Sequence, residues 1–164
     1  MPGKIQANSR GPFSYPPHPY PLPPFLEGIV TPEQFRIWLF HKAKTLLDRD
    51  RKAKRLCAKG ANRKMYRDAI YDAVIRGALC DPYTGETLAW DKLGMWNPEK
   101  DKDLNDNFEK EFSLLPSVDH IDPNAGGLKF EICGWLVNTC KSNFTPDEFV
   151  AICKDVVTHC SPEN

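Results

Sequence analysis

From Phe35 onward, apolar residues recur at helical spacing: Phe35, Trp38, Leu39, Ala43, Leu46 and Leu47 trace one stripe, leaving Lys42, Lys44 and Arg49 on other faces. Thr31-Pro32-Glu33 stands just ahead, with a hydroxyl cap, proline at the first helical position and an acid against the positive end of the helix dipole. The spacing therefore predicts a helix from residue 32 that packs one stripe inward, with Gly60 breaking the run. A second helix is predicted from near Asn62, turning Met65, Ala69, Ile70, Ala73 and Val74 inward and ending at Gly77. Asp81-Pro82-Tyr83-Thr84-Gly85 is a turn signature, and residues 87–90 read as a short strand. From Asp91 to Glu111 the chain is polar and nearly without periodicity, so no element is predicted there.

The pattern then changes. Leu114, Leu115 and Val118 suggest a strand that delivers Asp119 and His120 at its end. Turn formers fill residues 122–127, and Leu128-Lys129-Phe130-Glu131-Ile132 alternates as a half-buried strand does, which makes a β-hairpin. Trp135, Leu136 and Val137 lead into Asn138-Thr139-Cys140-Lys141, placed on a short helix across the hairpin, so the order is ββα. Thr145-Pro146-Asp147-Glu148 repeats the helix-start chemistry, and Phe149, Ile152, Val156 and Val157 follow at helical spacing, predicting a closing helix packed behind the hairpin. The class is α+β. Residues 1–30, with seven prolines between Gly11 and Pro24, are expected to form a flexible arm, residues 31–79 a basic helical region, and residues 80–164 the ββα core with its closing helix.

Composition adds little to this and charge adds more. A chain of 164 residues with 41% hydrophobic residues suits one compact domain. The net charge is +0, which gives no global signal for a nucleic-acid partner, but the basic residues crowd between Lys42 and Arg67. Lys52, Lys54, Arg55, Arg63, Lys64 and Arg67 are candidate phosphate contacts, with a solvated charged face as the plainer alternative. None of the six cysteines forms a CxxC pair, so no structural zinc is expected. The N-terminus lacks the apolar core of a signal peptide and no stretch approaches the roughly 20 apolar residues of a membrane span, so a cytoplasmic protein with reduced thiols is expected.

Val118-Asp119-His120-Ile121-Asp122-Pro123 and Asn138-Thr139-Cys140-Lys141, joined through a glycine-containing turn, resemble the motif of the HNH, or ββα-metal, nucleases over residues 113–144. Cys80-Asp81-Pro82-Tyr83-Thr84-Gly85 is similar to that family's entry to the site. The resemblance implies a metal-dependent endonuclease acting on DNA. His120 would be the general base that activates water, Asp119 and Asn138 would hold Mg²⁺ or Mn²⁺, and Lys141 would steady a phosphate. Asp119 and His120 are neighbours on a strand, so a bend is required to bring both to one cation. The family's middle Asn or His is replaced here by Lys129, and Asp122 or Asn124 are candidates to brace the loop instead. In a shifted register Asn143 becomes the helix ligand. The rival reading is a nucleic-acid-binding module that keeps the motif's shape without cutting.

Overall fold

The computed structural model describes residues 19–95 and 108–161. Helix α1 runs over Pro32–Lys52, opened by a capping box in which the Thr31 side chain accepts from the Gln34 amide and the Gln34 side chain accepts from the Thr31 amide. It ends at Lys52, before Gly60, where the chain turns through Lys54 at φ 54°. Helix α2 covers Arg63–Ile75, with the Asn62 side chain accepting from the Met65 amide. It buries Tyr66, Ile70, Ala73 and Val74, while Met65 turns outward.

The predicted strand at residues 87–90 does not form as such. Only an isolated bridge joins Cys80 to Thr87, and Trp90–Lys92 is a 3-10 turn whose indole donates to the Ala78 carbonyl. Of the excursion at residues 91–111, residues 96–107 lie outside the described residues, and a short helix α3, Phe108–Glu111, follows. Strands β1, Pro116–His120, and β2, Phe130–Gly134, then pair antiparallel in a regular register from Pro116 opposite Gly134 to His120 opposite Phe130. Helix α4, Trp135–Lys141, leaves β2 directly, completing strand, strand and helix in the predicted order. Helix α5 spans Pro146–Cys160 with a second capping box at Thr145 and Glu148.

One apolar cluster takes side chains from α1, α2, the turn around Trp90 and the hairpin, with Val118, Phe130 and Ile132 pointing from the sheet toward the two long helices. Tyr20, Leu26 and Val30 belong to the same cluster, and the Tyr20 hydroxyl donates to Asp68 at 2.6 Å. Of the expected arm, residues 1–18 lie outside the described residues, and residues 20–30 are packed onto the body at Tyr20, Leu26 and Val30, with the Tyr20 ring edge-on to Phe40 and Tyr71. The closing helix is corrected. Helix α5 has no buried residue, its apolar side chains Ile152, Val156 and Val157 are exposed, and the edge-on ring pair of Phe149 with Tyr83 ties it to the body. Periodicity supplied the stripe but no partner for it. Among the described residues no helix is long and apolar enough to cross a membrane.

Candidate functional site

Side chains on a strand alternate between faces, and β1 keeps that alternation to its end. Ser117 and Asp119 face α4, whereas Val118 and His120 face α1 and α2. Two polar clusters result, one on each face of the hairpin.

On the α4 face, Lys141 is fully buried and its ammonium lies 2.9 Å from Asp119 Oδ2 and 3.2 Å from the His120 carbonyl oxygen, to which it donates. Asp119 is 3% exposed. Burial raises its carboxyl pKa, and Lys141 pulls only partly in the other direction. Glu131, cross-strand from Asp119, is likewise raised by burial and by its acidic neighbours Asp119 and Asp81. Asn138 spends its amide protons on Ser117 Oγ at 2.7 Å and the Val118 carbonyl at 3.2 Å. Asp81 anchors this side: its Oδ1 accepts from the amides of Tyr83 and Thr84, and its Oδ2 accepts from Gly134 at 2.6 Å. In the hairpin turn Asp122 Oδ1 accepts from the Asn124 amide at 2.8 Å, the bracing that exposed Lys129 does not give.

On the other face, His120 is 4% exposed and sits edge-on to the Phe130 ring at 5.0 Å. Its Nε2 lies 2.8 Å from Asp50 Oδ2, an oxygen that also accepts from the Tyr66 hydroxyl at 2.8 Å. Its Nδ1 lies 3.2 Å from Arg55 Nη1 and 3.5 Å from Arg49 Nη2. Guanidinium groups only donate, so Nδ1 is the acceptor, Nε2 carries the proton, and that proton goes to Asp50. Asp50 itself is fully buried. Burial would raise its pKa, but hydrogen bonds from His120 and Tyr66 and the positive charge of Arg49 outweigh that, holding the carboxyl below its usual range. Arg55 extends the cluster outward by donating to Asn143 Oδ1 at 2.8 Å.

The required bend in β1 is absent. Regular pairing through Asp119 and His120 sends the carboxylate and the imidazole to opposite sides of the sheet, so they do not share a cation. Asp119 with Asn138 does not fit Mg²⁺ or Mn²⁺ either, because such ions keep several waters and open positions while this carboxylate is enclosed and already neutralised by Lys141. Lys141 holds the hairpin end rather than facing an open phosphate position. Asp50, Cys57 and His120 place ligand atoms within 4.8 Å of one another and can hold a metal ion, a buried set of one oxygen, one sulfur and one nitrogen that is closer to zinc's preference than magnesium's. Filling it would require Nε2 to give up its proton while the two arginines claim Nδ1, and burial holds the Cys57 thiol pKa high.

Of the predicted phosphate contacts, Arg55 alone touches the His120 cluster. Lys52, Lys54 and Arg63 are exposed, Lys64 pairs with Asp68 at 2.7 Å, and Arg67 stacks its guanidinium 4.3 Å from the Phe40 ring centroid. Asp50 and Arg49 were not among the residues expected at the site. A signal was present: Asp50 falls four residues after Leu46 and three after Leu47, on the inward stripe of α1, where a carboxylate is out of place unless it has a buried partner. Asn143, the shifted-register candidate, does reach the cluster, as a partner of Arg55. Compared with known proteins, the chain matches no family model, no curated protein and no solved structure.

Proposed function

We propose that this chain is an endonuclease, a phosphodiester hydrolase acting on DNA, whose working centre is the α1 and α2 face of the hairpin. The observation that carries the reading is the orientation of His120, fixed by Asp50 on Nε2 with its basic Nδ1 turned toward Arg49 and Arg55. An arriving phosphate draws the guanidinium groups onto its non-bridging oxygens and leaves Nδ1 free to take a proton from the attacking water; as the water oxygen bonds to phosphorus the P–O bond to the leaving sugar oxygen breaks, and that oxygen takes a proton from solvent. Asp50 steadies the imidazolium that forms, and the arginines stabilise charge building on the phosphate. Arg49, with its side chain 55% exposed, gives the site its opening to solvent, while Arg55 is 18% exposed. DNA is named as substrate on the resemblance of the hairpin and helix to HNH nucleases. No step is assigned to a cation, since Asp119 and Asn138 do not fit one as arranged.

Nicking of supercoiled plasmid tests this directly. Wild type converts it to open circles, and His120→Gln, which can still donate to Asp50 but has no basic nitrogen, falls by about 100-fold or more, the usual worth of a positioned base. Parallel reactions with Mg²⁺, Mn²⁺ and EDTA read any metal contribution. A second reading, a binding module that does not cut, is favoured by the burial of both Asp119 and His120 and by their existing partners. Tight duplex binding with no nicking under any of these conditions selects it.

A further inference from the structure

The seam between α1 and the edge of β1 contains a cavity of about 130 Å³ lined by Lys42, Thr45, Leu46, Arg49, Ser117, Val118 and Asn138. Lys42, Thr45 or Leu46, and Arg49 recur at the three-to-four-residue spacing of one helix face, so α1 presents a column of side chains to it. The lining holds two cations and no carboxylate. Lys42 is half-buried and, among the described residues, pairs with no acid. Burial and the neighbouring Arg49 both push its pKa down, the condition of an ammonium that lacks a counterion. Ser117 Oγ accepts from Asn138 and keeps its own proton to give. An ammonium with no acid partner, an arginine whose carboxylate contact is a loose 3.9 Å approach to Asp50, and a hydroxyl with its proton to give make a site for an anion rather than for a metal or an apolar ligand.

Arg49 connects this cavity to the His120 cluster, because it lines the seam and its Nη2 lies 3.5 Å from Nδ1. Lys42 lies two turns up the same helix, about 10 Å along the axis, so a strand running along α1 can lay one phosphate at Arg49 and a further one toward Lys42. We infer that the Lys42 and Arg49 cavity is a second phosphate subsite, which takes a flanking phosphodiester of the strand held at His120. This rests on the nuclease reading for what the neighbouring group is. The subsite positions the strand, and its residues other than Arg49 touch no reacting atom.

The test is the salt dependence of duplex binding, followed by fluorescence anisotropy with a labelled DNA duplex and the full chain carrying His120→Gln to prevent cutting. Removing one phosphate contact lowers the slope of log K against log salt by about 0.9. Lys42→Gln is expected to show that loss, Lys42→Arg to retain the parent slope, and Lys44→Gln, on the exposed side of α1, to leave it unchanged. In nicking assays with the wild-type His120, Lys42→Gln raises KM and leaves kcat in place. A Lys42→Gln slope equal to the parent's, in a protein with parent-like circular dichroism, overturns the subsite while leaving the nuclease reading standing. If Lys42→Gln does not fold, Lys42→Met in the same assay decides by the same criterion. Failure of the parent to bind duplex even at low salt overturns both.

Discussion

Asp50 is the residue on which the His120 side of the hairpin turns. It is an acid in a basic stretch, and its place on the inward stripe of α1 is the local sign that it is buried. Which partner meets it there depends on packing α1 against a strand seventy positions away, and no local pattern encodes that. That Asp119 and His120 end a strand and Asn138 sits on the following helix was legible, because that spacing is local; that the three share one site was an expectation the two faces of β1 do not support. Their partners were not legible, since Lys141, Asp50 and Ser117 are chosen by which face of β1 each side chain leaves. Asp50→Ala strips an acceptor from both His120 and Tyr66 and is expected to cost about 3–5 kcal/mol in urea unfolding, as for other broken buried pairs. The pH dependence has a definite sign. The native pKa of Asp50 lies below its unfolded value, so its stabilisation is complete above the unfolded carboxyl range and fades as pH falls through the native value. Unfolding midpoints of Asp50→Asn should therefore approach those of wild type as the solution is acidified. Glu131 behaves in the opposite sense: its raised carboxyl weakens the fold as pH rises above the ordinary range, so Glu131→Gln should raise the thermal midpoint at pH 7 and not at pH 3.

The hairpin and α4 form an element whose order was readable from alternation and turn chemistry, although β2 begins at Phe130 rather than Leu128. What holds its geometry is less visible in the sequence. A Cβ at Gly134 would stand 2.9 Å from the Ser113 carbonyl oxygen and 3.3 Å from Asp81 Oδ2, and the first of these is backbone that cannot swing aside. Gly134→Ala is expected to cost about 1–3 kcal/mol by overpacking, measured by urea unfolding. Lys141→Met leaves Asp119 as an enclosed, unpaired carboxylate and should cost about 3–5 kcal/mol, whereas adding Asp119→Asn recovers most of the loss. A double-mutant cycle on these two positions checks it.

At the scale of the molecule, one core joins residues from Tyr20 to Ile132 and leaves α5 outside it. The sequence pattern marked α5 correctly as a helix because caps and periodicity are local; the surface it should cover is not. A chain ending after residue 144 should therefore unfold with a loss of only about 1–3 kcal/mol, the Phe149 and Tyr83 ring pair together with the area that Phe149 partly buries. The unbroken ladder of β1 and β2 has a dynamic corollary. Any rearrangement that lets Asp119 and His120 grasp one ion must first rupture the rungs at the turn end of the hairpin, among them the bond from the Ile121 amide to the Lys129 carbonyl at 3.1 Å. Deuterium uptake at Ile121 is thus a direct gauge of such a rearrangement: protection that survives millimolar manganese means that the two side chains stay back to back with the ion present.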